Sequence, residues 1–110
     1  STMLIRILLE MEGFEVVTSF DRRSAIDAAS SETATFIVDF NLGHGGNGVD
    51  LIRTIREGGT RASCTVPTIL VSGDERVEDE ALASGADVFL LKPYSPTLLI
   101  ETIHRLIAGD

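Results

Sequence analysis

The chain has 110 residues, the size of one domain, which leaves no room for a second domain beside it. Hydrophobic residues make up 44% and charged residues 24%, a balance that excludes a disordered chain and predicts a packed globule. Acidic residues outnumber basic ones 17 to 9, for a net charge of −8, so the surface repels phosphate backbones and anionic lipid and neither nucleic acid nor a membrane is an expected partner.

Met3 to Glu12 has helical spacing, with Leu4, Ile7, Leu8 and Met11 on one face and Gly13 as the stop. Phe14-Glu15-Val16-Val17-Thr18 reads as a short β-branched strand. Asp21 is placed to cap a helix through Ala25, Ile26, Ala28 and Ala29. Thr35 to Val38 is apolar without alternation, the pattern of a strand buried on both faces, and it ends at Asp39. A glycine-rich loop follows from Gly43 to Gly48, then a helix over Val49 to Glu57, stopped by Gly58-Gly59.

Thr68 to Val71 is a second buried strand, ending at Ser72-Gly73-Asp74, where Asp74 can cap an acidic helix over Glu75 to Ser84. Val88 to Leu91 is a third, ending at Lys92-Pro93. Ser95-Pro96 starts the last helix, which carries Leu98, Leu99, Ile100, Ile103, Leu106 and Ile107. Alternating helices and unbroken apolar strands predict an α/β fold, a doubly wound parallel sheet with helices on both faces. Ligands of such sheets sit at the carboxyl ends of strands, so Asp39, Ser72 and Lys92 are predicted to converge on one edge.

That trio fits phosphoryl chemistry. A strand-end carboxylate such as Asp39 can attack phosphorus, and the charge built on the equatorial oxygens needs a cation and hydrogen-bond donors. Lys92 is the only lysine in the chain, Ser72 offers a hydroxyl, and the backbone amides of Phe40 and Gly73 are further candidate donors.

The segments Phe36-Ile-Val-Asp-Phe-Asn-Leu42, Thr68-Ile-Leu-Val-Ser-Gly-Asp74 and Gly85-Ala-Asp-Val-Phe-Leu-Leu-Lys-Pro93 together resemble the receiver domains of two-component response regulators, most closely those attached to hybrid histidine kinases. The resemblance covers nearly the whole chain. It implies a flavodoxin-like fold, Asp39 as phosphoacceptor, and Asn41 lending its backbone carbonyl to Mg2+. It also implies Ser72 and Lys92 on the phosphoryl group, a Lys92-Pro93 bond that is commonly cis, and Phe89 as the aromatic switch. A histidine kinase or phosphotransfer domain is the implied partner. The activity implied is signalling, with at most self-catalysed phosphoryl transfer and dephosphorylation.

The sequence also departs from the family. The family's first, central strand ends in an acid pair that binds Mg2+ with the phosphoacceptor; here the sequence opens inside the first helix. About twenty residues are expected to be missing, so residues 1–110 read as a receiver domain that is N-terminally incomplete. The missing strand would lie between those at 14–18 and 35–39, and its loss leaves two unpaired inner edges. A clipped longer protein and a partner chain filling the slot are both consistent with this. Mg2+ is expected only if the acid pair is supplied. Gly43 stands where the family usually has proline, and Gly73 where alanine is common.

Two alternatives stand beside the phosphoacceptor reading. One is a pseudo-receiver, an interaction module that does not use phosphate. The other is a small nucleotide-binding domain, since Gly43-x-Gly45-x-x-Gly48 formally matches a dinucleotide pattern; a mobile loop is the ordinary reading of those glycines. His44 and His104 lack ligand spacing, and the single Cys64 excludes an internal disulfide and suits a reducing cytosol, so the expected location is cytoplasmic. The acidic run Asp74 to Glu80 is a solvated helix start or a docking face for a basic partner. The last helix is apolar around more than half its girth, which offers a homodimer or partner surface.

Overall fold

A computed structural model describes residues 2–43 and 46–109. The order of elements is α1 (Thr2–Met11), α2 (Arg22–Ala28), β1 (Phe36–Asp39), α3 (Gly48–Arg56), β2 (Thr68–Ser72), a 3₁₀ turn (Glu75–Val77), α4 (Glu78–Ser84), β3 (Val88–Leu91) and α5 (Pro96–Ile107). The strands form one parallel sheet in the order β1-β2-β3.

β2 is buried along its whole length because it has a strand on each side and helices over both faces. Its side chains alternate between two cores. Leu70 joins Val38, Ile52, Ile55 and Ala81 on the side of α3 and α4. Ile69 and Val71 join Leu9, Leu90, Leu99 and Ile103 on the side of α1 and α5. This is the predicted doubly wound α/β layering.

The helix starts are chemical. Asp21 accepts from Ser24 N–H at 2.7 Å, Asn47 from Asp50 N–H at 3.1 Å and Ser95 from Leu98 N–H at 3.0 Å. Gly85, with φ +115, ends α4 in the left-handed region that glycine tolerates. Asp74 caps only the 3₁₀ turn, so the predicted acidic helix is split and its α-helical part begins at Glu78.

Two further expectations are corrected. Residues 14–18 form no strand, because strand pairing needs a neighbour and no described strand pairs with them. Phe14 and Val16 pack inward on the α5 side instead, while Val17 is 64% exposed. β1 is not buried on both faces: only Val38 is buried, and Ile37 is 36% exposed, because β1 is an edge of the described sheet. In α1 the inward residues are Ile5 and Leu9, with Leu8 half-buried at the flank, whereas Leu4 and Ile7 are each 47% exposed and Met11 76%. The helix is turned toward α5, where Glu12 Oε1 lies 2.9 Å from His104 Nε2 and Phe14 packs beside the His104 ring.

The parallel ladder shows which backbone groups face outward. Phe36 and Phe40 donate to the Pro67 and Val71 carbonyls, each at 2.9 Å. Alternation along a strand then turns the amides of Ile37 and Asp39 to the side of β1 away from β2.

Candidate functional site

Parallel strands end at the same edge of a sheet, so Asp39 at the end of β1, Ser72 at the end of β2 and Lys92 just past β3 are brought together. Lys92 is tied to the site twice. Its N–H donates to the Ser72 carbonyl at 2.8 Å, and its ammonium donates to Asp39 Oδ2. Asp39 Oδ1 accepts from Asn41 N–H at 3.0 Å, so each carboxylate oxygen has one partner. Both charged side chains are partly exposed, which leaves the pair open to solvent.

Ser72 is buried at 2% exposure. Its Oγ accepts from Asp74 N–H at 3.0 Å, which uses a lone pair and leaves the hydroxyl proton to donate elsewhere. Asp74 is itself held by Arg76, which donates through its N–H, Nε and Nη2, each at 2.9 Å. The Arg76 guanidinium holds the Asp74 carboxyl below the usual carboxylate range. Phe89 is half-buried and packs inward with the α3 and α4 core. The Lys92-Pro93 bond is cis.

Of the two candidate amide donors, that of Phe40 is already spent on the Val71 carbonyl, and the Asn41 amide takes its place beside Asp39. Asn41 and Asn47 form an isolated antiparallel bridge that closes the glycine loop. His44 and Gly45 lie outside the described residues.

Sequence reasoning missed two contributors. Gly48, taken as loop, is the buried first residue of α3: a Cβ there would sit 2.4 Å from the Asp39 carbonyl oxygen and 2.8 Å from Val38 Cγ1. Its N–H donates to the Phe40 carbonyl at 2.7 Å, so the helix start abuts the strand end that carries Asp39. The formal dinucleotide pattern would have drawn attention to this glycine, for a different reason. Tyr94 is the second. It is half-buried on the α5 side, two residues past Lys92; burial pushes its phenol up, the Lys92 charge pulls it down and the Asp39 charge raises it, so it feels both charges of the pair. Nothing in the local sequence distinguishes it.

Mg2+ asks for near-octahedral oxygen ligation, usually including one or two carboxylates. Among the described residues no group of three His, Cys, Asp or Glu side chains is placed to hold a metal. The Asp39 carboxylate already contacts an ammonium and an amide, and that of Asp74 is engaged by Arg76, so the described residues do not fit the ion. Among the described residues no helix is long and apolar enough to cross a membrane.

The comparisons with known proteins agree with this geometry. The family model of the response regulator receiver domain matches residues 1–104. The transcriptional regulatory protein CpxR of Escherichia coli is 29% identical over 108 residues, covering 96% of this chain and 44% of CpxR. The phosphate regulon regulator PhoB of the same organism is 26% identical over 104 residues, covering 94% of this chain and 45% of PhoB. The chain therefore spans less than half the length of these relatives. Among solved structures, the receiver domain of NtrX from Brucella abortus superposes with a TM-score of 0.82 at 26% identity, over 97% of this chain and 89% of that one. A Burkholderia pseudomallei response regulator with a phosphorylated aspartic acid and a calcium ion superposes at 0.79 and 20% identity, over 98% of this chain and 62% of that one. With three strand ends carrying the acid, hydroxyl and lysine, and a family match over nearly its whole length, the chain belongs to the receiver domains of two-component response regulators.

Proposed function

We propose that this chain accepts a phosphoryl group on Asp39 from a phosphohistidine of a histidine kinase or phosphotransfer domain, and that the modification switches a partner-binding face. The observation that carries this reading is the meeting of Asp39, Lys92 and Ser72 at one sheet edge, with the Lys92 ammonium on the carboxylate. An Asp39 oxygen attacks phosphorus; the new O–P bond forms as the donor's P–N bond breaks, and the electron pair leaves on the imidazole nitrogen, which takes a proton from solvent. The Lys92 ammonium is placed to follow the charge onto the phosphoryl oxygens, and the free Ser72 proton to donate to one of them. Drawing Ser72 toward the phosphoryl group loosens its bond from Asp74 N–H and opens space beside β2, into which Phe89 moves. The face of α4, β3 and α5, where Leu82, Leu91 and Leu98 are exposed, then changes its partner preference; a homodimer is one such assembly.

The reading is supported by the family match and by the neighbour that carries a phosphorylated aspartic acid. Receiver domains are signalling domains rather than enzymes of metabolism, and they generally bind Mg2+ at the phosphorylation site. We further propose that residues 1–110 form one receiver unit whose sheet is completed by another strand along β1. The missing ligand set favours a second reading, a pseudo-receiver that works without phosphate. Prolonged incubation with a phosphohistidine donor separates the two. The phosphoacceptor reading predicts slow labelling that Asp39→Asn abolishes and Ser72→Ala weakens. Absence of any label on the folded chain, or equal label on Asp39→Asn, overturns it.

A further inference from the structure

Four of the five phenylalanines pack on a core: Phe14 on the side of α1 and α5, and Phe36, Phe40 and Phe89 on the side of α3 and α4. Phe20 joins neither. Its side chain is 79% exposed, the highest value of any large apolar residue among the described residues. A ring left in water contributes nothing to the core, and a single exposed aromatic gains meaning only from its place.

Its place is beside the loop of Asp39. Phe20 lies between the 14–18 segment and α2, and its carbonyl oxygen is 3.6 Å from where a Gly43 Cβ would stand, an ordinary contact distance. Gly43 belongs to the loop that leaves β1 at Asp39, and that loop is tied to the carboxylate by the Asn41 N–H at 3.0 Å. Phe20 thus stands apart from the β2 and β3 ends that bring Ser72 and Lys92. Its backbone is anchored: the next residue, Asp21, caps α2 through Ser24 N–H at 2.7 Å, and Ala25 and Ile26 of α2 pack on the core. A ring presented from an anchored turn loses only rotamer freedom when a partner covers it. Arg22 and Arg23 follow, the only adjacent pair of basic residues in an acidic chain, and both are exposed. Arg23 meets Asp27 only at 3.9 Å, with both side chains mostly in water, so its charge is left for a partner.

We propose that Phe20 is the anchor on which the phosphohistidine donor docks: its ring enters an apolar pocket of the donor domain, and Arg22 and Arg23 face carboxylates on the rim of that pocket. A donor imidazole must come over this edge, because Asp39 closes β1 there, and the surface around the imidazole then passes over the Asp39 loop and Phe20 beside it. The inference rests on the proposed transfer to Asp39 and adds the residue that selects the donor. Phe20 touches no reacting atom and acts on partner choice alone.

The test sets a protein donor against a donor with no surface. The 110-residue chain, Phe20→Ala, Phe20→Trp, Arg22→Glu/Arg23→Glu and Asp39→Asn are each given a phosphohistidine-bearing phosphotransfer domain, the tightest binder of the parent chain in a panel of such domains. Each is separately given phosphoramidate, in which a P–N bond also breaks and ammonia leaves with a proton from water. Binding of the unphosphorylated domain is followed by calorimetry. Phe20→Ala is expected to weaken that binding, and to raise the donor concentration for half-maximal rate, about ten- to thirtyfold. The rate at saturating donor and the phosphoramidate rate stay within about twofold of the parent. Phe20→Trp keeps most of the affinity, and the double Glu variant slows association chiefly at low salt. Asp39→Asn binds as the parent does and takes no label. Parental affinity in Phe20→Ala overturns the inference, as does equal slowing with both donors, or a parent chain that binds no domain of the panel. A parent that binds through Phe20 and takes no label from either donor sinks the phosphoacceptor reading alone, whereas a parent labelled at Asp39 and matched by Phe20→Ala sinks this inference alone.

Discussion

Gly48→Ala tests the close approach that fixes Asp39. The added methyl would lie 2.4 Å from the Asp39 carbonyl oxygen and 2.8 Å from Val38 Cγ1. Ordinary contact begins at 3.4 Å, so α3 and the end of β1 must separate by about 1 Å. Neither partner yields easily: the strand end is held by the Phe40 to Val71 bond and the helix start by the Gly48 to Phe40 bond. Overpacking of this kind costs about 1–3 kcal/mol, and the better helix propensity of alanine returns at most about 1 kcal/mol. A net loss of about 1–2 kcal/mol is expected. In urea, with a slope of about 1–1.5 kcal/mol/M for a domain of this size, the unfolding midpoint falls by about 1 M. Asp39 and Asn41 amide shifts move with it. Gly73→Ala is the control: its Cβ meets nothing within 4 Å and its φ lies outside the left-handed region, so stability holds or rises by about 0.4–1 kcal/mol. Gly48→Ala as stable as the parent, with unmoved Asp39 and Asn41 shifts, would refute the reasoning.

The Arg56 guanidinium reaches the carbonyls of Gly85, Cys64 and Val66 at 2.8–2.9 Å and Asp87 Oδ2 at 3.1 Å, so Arg56→Ala should cost about 2–4 kcal/mol in chemical denaturation. Arg56→Lys should rescue little, since a point charge does not reproduce the planar fork. Tyr94, the only tyrosine beside no tryptophan, gives a clean absorbance titration at high pH. Its midpoint should lie above 10, rise further in Lys92→Ala and fall in Asp39→Asn; opposite signs would mean that the phenol does not feel the two charges. Because the folded value is the higher one, Tyr94 contributes stability below pH 10 that is lost as pH rises from 10 through the folded value, and Tyr94→Phe should flatten that decline.

The alternation of helices and apolar runs made the layers legible, and Asp39, Ser72 and Lys92 were legible because strand ends of a parallel sheet share an edge. The segment at 14–18 was misread for a reason outside itself. Phe-Glu-Val-Val-Thr has strand chemistry, but a strand is a pairing, and no described strand pairs with this segment. The same open edge exposes Ile37, which local sequence marked as core. Spacing in α1 selected a face from Leu4, Ile7 and Met11, whereas contact with α5 selected Ile5 and Leu9. The close packing at Gly48 and the setting of Tyr94 were not legible because both depend on what approaches them from elsewhere in the chain.

The central claim is that Asp39 receives the phosphoryl group. The most direct test is to incubate the folded chain with a phosphohistidine donor, trap the acyl phosphate by borohydride reduction and map the reduced residue by peptide mass spectrometry. The account predicts reduction at Asp39 and at no other aspartate. Reduction at Asp50 or Asp74 with Asp39 intact, or an unmodified chain after exhaustive exposure to the donor, would contradict it.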